Sequence, residues 1–227
     1  MTTLLEIDGL TGGYRDTNVI FDLTTRIAPG KVMGVFGRNG VGKTTLARLV
    51  QGSLLPAEGM ITLAGAEITF RPAYERRALG IGYMPQTAMV FDDLTVRENL
   101  SLGQTGHAPD LYFERFPRLA ERLDQLAGTM SGGERKILAF VRAMIEDTQL
   151  IVLDEPSEGV QPENIDHMAA CITERAASGA GVMLCEQNLS FLTGISDHYL
   201  GLDAGSVVLD KARDKATQDE IRAILTL

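Results

Sequence analysis

The sequence has no tryptophan, two cysteines and three histidines, and aromatic residues make up 6% of it. Two cysteines cannot staple a disulfide scaffold. Cys171 and Cys185 lie on either side of a helix-like segment without C-x-x-C spacing, and His107, His167 and His198 are too dispersed to suggest a metal site. Both thiols are therefore expected to be buried and reduced. Long apolar runs are missing as well: the longest, Lys31 to Phe36 and Leu150 to Leu153, fall far short of the roughly 20 residues that a membrane helix needs. Nor is there an excess of positive charge. A net charge of −9 argues against a protein that tracks a phosphate backbone, so no nucleic-acid partner is expected. The opening Met1-Thr2-Thr3-Leu4 shows no basic segment followed by an apolar run, which makes the cytoplasm the expected compartment. What remains is 227 residues, 44% of them apolar, enough for a core without staples and too apolar for disorder.

Short apolar or alternating runs at Leu4 to Asp8, Val19 to Ile27 and Val32 to Phe36 read as strands broken by Gly9, Gly12, Gly13 and the turn Ala28-Pro29-Gly30-Lys31. Leu46, Leu49 and Val50 then recur at helical spacing from Lys43 to a stop at Gly52. Met60 to Ala64 and Ile81 to Met84 read as further strands. From about Thr95 to Met144 the pattern turns helical, with Phe113, Phe116, Leu119, Leu123 and Leu126 as an apolar stripe. Strand-like pattern resumes at Leu150 to Leu153 and Val182 to Cys185, separated by a helix from Pro162 to Ala177. Such alternation implies an α/β fold with a mostly parallel sheet. Tyr199 to Asp203 and Val207 to Asp210 look like a final strand pair, and Thr217 with Glu220 forms a capping box for a last helix. No linker divides the chain. It reads as one domain over 1–227, with a helical subdomain at approximately 88–145 inserted in a core of 1–87 plus 146–227.

Gly37-Arg38-Asn39-Gly40-Val41-Gly42-Lys43-Thr44 fits G-x-x-x-x-G-K-S/T, after an apolar strand and before a helix. Glycines let successive backbone N–H groups curl toward phosphate, and the helix presents its positive end to the same charge. Lys43 is expected to bridge β- and γ-phosphates, and Thr44 to ligate Mg²⁺. Leu150-Ile151-Val152-Leu153-Asp154-Glu155 adds two carboxylates at the end of a buried strand. Asp154 would hold the metal through water, and Glu155 would orient or deprotonate the attacking water. Nucleotide hydrolysis, not binding alone, is the expected chemistry. Ser131-Gly132-Gly133-Glu134 opens another helix with an S-x-x-E capping box, and its exposed N–H groups and hydroxyl make a second anion site.

This ordered set resembles the ABC transporter ATPases, whose signature usually reads L-S-G-G-Q/E; Met130 stands in place of the leucine. The resemblance covers essentially the whole chain. It implies a P-loop NTPase core with an N-terminal antiparallel β subdomain, ATP and Mg²⁺ as ligands, and a head-to-tail dimer enclosing two ATP molecules. Tyr14 would stack on adenine, and Gly37, Arg38, Asn39, Gly40, Val41, Gly42, Lys43, Thr44 and Thr45 would hold the phosphates. Gln86 would reach Mg²⁺ and the attacking water from a mobile loop. Ser131, Gly132, Gly133 and Glu134 would meet the nucleotide of the other subunit. The implied partners are two integral-membrane permeases, a second ATP-binding subunit of the same or a homologous chain, and indirectly a solute-binding protein, with this chain peripheral on the inner face of the cell membrane.

Where the family usually has a γ-phosphate histidine, Gln187 follows Cys185-Glu186; an amide can donate to phosphate but cannot carry a proton. Cys185-Glu186-Gln187-Asn188 and Glu158-Gly159-Val160-Gln161-Pro162 look like the branch that imports branched-chain amino acids and urea or short amides. The dimer loop lacks the aspartate common in the superfamily. An alternative is a non-transport ABC ATPase acting on DNA or ribosomes. The short segment between Gln86 and Ser131, the single phosphate loop and the acidic charge weigh against it.

Overall fold

Alternation of buried and exposed residues builds the first strands. Leu5, Ile7 and Leu10 point inward from β1 (Leu5–Tyr14), and Ile20, Leu23, Thr25 and Ile27 from β2 (Thr17–Ile27). The structure, a computed structural model, describes residues 3–15, 17–87, 89–103 and 106–226. The following elements are β3 (Val32–Phe36), α1 (Lys43–Gln51), β4 (Pro56–Leu63), β5 (Ala66–Glu67), α2 (Ala73–Ala78), β6 (Ile81–Met84), α3 (Val96–Gly103), α4 (Pro117–Glu121) and α5 (Gly132–Met144). After them come β7 (Leu150–Asp154), α6 (Pro162–Ala177), β8 (Gly181–Cys185), α7 (Leu189–Ile195), β9 (His198–Asp203), β10 (Ser206–Ala212) and α8 (Gln218–Thr226).

Two sheets result. The order β2-β1-β4-β5 is antiparallel, and the order β10-β9-β3-β8-β7-β6 is parallel except for its β10 edge. The expected α/β class with an antiparallel N-terminal sheet is what the chain adopts. Strands β3, β7 and β8 are buried along their whole length, as strands covered on both faces must be. Their side chains alternate between two apolar layers. Val32, Ile151, Leu153, Val182 and Leu184 face a layer shared with α5 and α6. Met33, Val35, Val152, Met183 and Cys185 face a layer shared with α1 and the antiparallel sheet.

Three local expectations are corrected. Gly9, Gly12 and Gly13 do not break the first strand but lie inside β1, where the register to β2 shifts three times. Bulges absorb the extra residues. At Gly13 the partner backbone comes so close that an added Cβ would lie 2.0 Å from the Thr17 carbonyl oxygen. The stripe from Phe113 to Leu126 is not one helix either. Its segment forms a 3₁₀ turn at Pro109–Tyr112, the short α4 and another turn at Ala127–Thr129. Pro109 and Pro117 have no N–H to donate, so each can only start a turn. Phe116 and Leu119 reach the core, whereas Leu126 is exposed. The strand expected at Met60 to Ala64 starts earlier, at Pro56. Other readings hold: β6 and α6 have the expected bounds, Gly52 caps α1, both cysteines are buried and unpaired, and Thr217 and Glu220 form the capping box. Met1, Thr2 and Ala88, on which the N-terminal reading and the start of the helical insertion fell, and Leu227, the expected helix end, lie outside the described residues.

Candidate functional site

Strands β3, β8, β7 and β6 are consecutive neighbours in the sheet and run in one direction. The segments that leave their carboxyl ends therefore meet at one rim, the usual place for ligands in open parallel sheets. Gly37 to Thr44 follow β3, Glu186 and Gln187 follow β8, Glu155 follows β7, and Gln86 follows β6.

At that rim the charged groups are nearly dry. Lys43, Asp154 and Glu155 are all buried. Lys43 Nζ donates to the carbonyl oxygens of Gly37 at 3.0 Å and Arg38 at 3.1 Å, and stands 3.5 Å from Glu155 Oε1. Thr44 Oγ1 donates to Asp154 Oδ1 at 3.1 Å, while Asp154 Oδ2 is buried without a hydrogen-bond partner. Burial pushes the Asp154 carboxyl up from its ordinary value, against the Thr44 hydrogen bond that lowers it. An orphaned carboxylate oxygen beside a hydroxyl suits Mg²⁺, which takes few protein ligands and fills its octahedron with water and phosphate oxygens.

Glu155 is the hub of a second set of bonds. Gln187 Nε2 donates to its Oε1 at 2.7 Å, and Gln86 Nε2 donates to its Oε2 at 3.1 Å and to Glu158 Oε2 at 3.2 Å. Its backbone has a φ of +48°, a left-handed conformation uncommon outside glycine and concentrated at functional sites. The Gln86 amide thus points at the two glutamates, and the hydroxyl beside Asp154 comes from Thr44. Of the loop residues, Gly37, Val41, Gly42 and Thr45 are buried, and Arg38, Asn39 and Gly40 are exposed. Gly37 has a φ of +151°, and a Cβ there would lie 2.3 Å from the Leu202 carbonyl oxygen. Tyr14 is half exposed at the end of β1. Arg48 of α1 holds it, with Nη1 donating to the tyrosine oxygen at 3.3 Å and Cζ 5.9 Å from the ring centre.

Ser131 to Glu134 belong to a different place. The capping box is formed in both directions, and Met130 is buried in the core as a leucine would be. Ser131, Gly133 and Glu134 line a cleft of about 720 Å³ together with Arg118, Gly159 and Asn164, and no phosphate-loop residue lines it.

Three residues join these parts without having been singled out from sequence. Glu186, buried, accepts the backbone N–H groups of Ser157 at 3.2 Å, Gln187 at 2.8 Å and Asn188 at 3.1 Å, tying the loop after β7 to the loop after β8. It carries the same signal that marked Asp154, an acidic residue ending a buried apolar strand. Lys136 on α5 donates to the Gln86 carbonyl oxygen at 2.6 Å, with Glu158 Oε2 at 3.8 Å. Burial lowers the Lys136 pKa against the pull of the surrounding carboxylates. Glu158 was legible only as a loop residue, since nothing in the pattern says that it faces Gln86.

The family model described as ABC transporter matches residues 20–158. Among curated proteins, the chain is 34% identical over 213 residues to the high-affinity branched-chain amino acid transport ATP-binding protein BraG of Pseudomonas aeruginosa, covering 91% of each. It is 29% identical over 228 residues to the lipopolysaccharide export system ATP-binding protein LptB of Haemophilus influenzae, covering 96% of this chain and 94% of that one. Among solved structures, an ATP binding subunit of an ABC transporter aligns with a TM-score of 0.84 and 29% identity, over 99% of this chain and 100% of the other.

Proposed function

The chain belongs to the ABC transporter family as an ATP-binding, ATP-hydrolysing subunit, and we propose that it powers an importer of amino acids or of urea and short amides. The observation that carries the mechanism is the convergence of Lys43, Glu155, Gln86 and Gln187 at one rim of the parallel sheet. ABC ATP-binding subunits work with membrane permease components. Among the described residues no helix is long and apolar enough to cross a membrane. In this reading the path for the transported molecule lies in two permease chains, and this chain sits on their cytoplasmic side.

Lys43 and the N–H groups of the phosphate loop bind the β- and γ-phosphates, and Tyr14 stacks on the adenine. Thr44 and Asp154 would hold Mg²⁺, and Gln86 would have to leave Glu155 and Glu158 to join them. Bound there, the ion would supply positive charge against the triphosphate. Glu155 takes a proton from the attacking water as its oxygen bonds to the γ-phosphorus and the bond to the ADP oxygen breaks. Gln187 holds Glu155 and donates to the γ-phosphate. Ser131, Gly132 and Gly133 complete the site of a second subunit, so that two chains close head to tail on two ATP molecules and reopen after hydrolysis. The segment of approximately 88–145 acts as the subdomain that relays this movement to the permeases.

Support for import comes from the Cys185-Glu186-Gln187-Asn188 segment and the likeness to BraG. The likeness to LptB favours export as the second reading. Two measurements decide. The Glu155→Gln chain should accumulate as an ATP-bound dimer, and normal turnover in it would refute the catalytic assignment. Deleting the chain in its own cell should abolish uptake of labelled branched-chain amino acids or urea; unchanged uptake with retention of an envelope component would replace import by export.

A further inference from the structure

Ser131 has one hydroxyl proton, and it is donated in a hydrogen bond to the Glu134 carboxylate. Ser131 Oγ lies 3.0 Å from Glu134 Oε2, which also accepts the Ser131 backbone N–H at 3.0 Å. The other oxygen, Oε1, accepts Arg118 Nη1 at 3.3 Å and stands 3.1 Å from Arg122 Nη1. Burial works to raise the Glu134 pKa, but the Ser131 hydrogen bonds and the two guanidiniums outweigh it and leave it below its ordinary value. Two positive charges thus stand against one carboxylate at the helix start, and Arg118 lines the same cleft as Ser131 and Gly133.

A bare carboxylate here would oppose a triphosphate by repulsion. We propose that Arg118 and Arg122 are positioning residues that neutralise Glu134, so that Ser131, Gly132 and Gly133 can receive the γ-phosphate of ATP bound to a second copy of the chain. The inference rests on the reading of Ser131 to Gly133 as a contact made across the dimer. The Arg118 and Arg122 side chains are 69% and 35% exposed against 13% for Glu134, so each pair is solvated on its arginine side, and thermal unfolding of the alanine pair checks that the chain still folds.

The test uses the Glu155→Gln chain and reads, by analytical ultracentrifugation, the ATP concentration at which half of it is dimeric. Arg118→Ala with Arg122→Ala should raise that concentration about tenfold. Arg118→Lys with Arg122→Lys keeps both charges and should recover most of the loss. Adding Glu134→Gln to the alanine pair should bring the value to within about twofold of Glu134→Gln alone, because there is then no charge to neutralise. An equal loss with Glu134 and with Glu134→Gln would mean that the arginines merely shape α4, and no loss in either would mean that they do nothing; both outcomes overturn the proposal. With Glu155 intact, the same alanine pair should raise KM for ATP and leave kcat within about twofold, and a loss confined to kcat overturns it. Failure of the Glu155→Gln chain to dimerise at any ATP concentration would instead remove the underlying reading of the contact, and this proposal with it.

Discussion

The Gln187 side-chain amide donates to Glu155 Oε1 at 2.7 Å, binding the residue after β8 to the carboxylate after β7. The bond leaves the amide oxygen of Gln187 free of that contact and sets the carboxylate of a residue whose backbone is already left-handed. The amide carries out this task without titrating, whereas a histidine in its place would change charge near its ordinary pKa of about 6.5.

Gln187→Ala should therefore lower turnover at saturating ATP by about ten- to a hundredfold, in the range of lost positioning contacts, while ATP binding to the single chain changes little. Gln187→His should retain more activity but add a pH-dependent limb near the ordinary histidine pKa of about 6.5. Steady-state hydrolysis between pH 5.5 and 8.5, about one unit either side of that pKa and beyond, checks both.

Glu186→Ala removes the acceptor of three backbone N–H groups. Each buried donor left unsatisfied costs about 1–3 kcal/mol, so the variant should lose about 2–5 kcal/mol in urea unfolding, with water recovering part of the total. Glu186→Gln keeps an acceptor oxygen and should lose less than half as much. A cost equal to that of Glu186→Ala would show that charge, not geometry, holds the two loops.

Lys136→Met should separate stability from turnover. The methionine restores apolar packing where burial already disfavours the ammonium, so the change in folding free energy should stay within about 1 kcal/mol. Gln86 loses its backbone anchor on α5, and hydrolysis should fall about tenfold, as for other misplaced positioning groups. Thermal unfolding and turnover measured on one preparation test the split.

Glu220 provides a pH signature at α8. The Lys211 ammonium and the Thr217 cap hold its carboxyl down to about 2. A carboxyl whose folded pKa is depressed stabilises the fold fully above its unfolded value of about 4.3 and loses that contribution as pH falls through the folded pKa. α8 should accordingly loosen between these two limits. Hydrogen-exchange protection factors at residues 218–226 should fall across that window as pH drops, and Glu220→Gln should remove that fall.

Much of the fold was legible. Strands β3, β6, β7 and β8, helices α1 and α6 and both capping boxes follow from apolar periodicity and cap chemistry, which depend on neighbours within a few residues. The misread parts are those where neighbours in space overrule that pattern. Gly9, Gly12 and Gly13 look like breakers until bulges in β1 and β2 are seen to carry them within the ladder, and Phe113 to Leu126 look helical until the prolines divide them.

The sequence by itself determined the chemistry: a phosphate loop ending in Lys43 and Thr44, two carboxylates closing a buried strand, and a capped glycine pair at Ser131. Tertiary structure alone decided who meets whom. Because the strand order β3-β8-β7-β6 differs from chain order, Gln187 and Gln86 converge on Glu155 and Glu186 bridges two loops; packing of α4 against the start of α5 brings Arg118 and Arg122 to Glu134. The physical reason is that periodicity records whether a side chain is buried, whereas strand pairing and ion pairs are set by contacts between residues far apart in the chain.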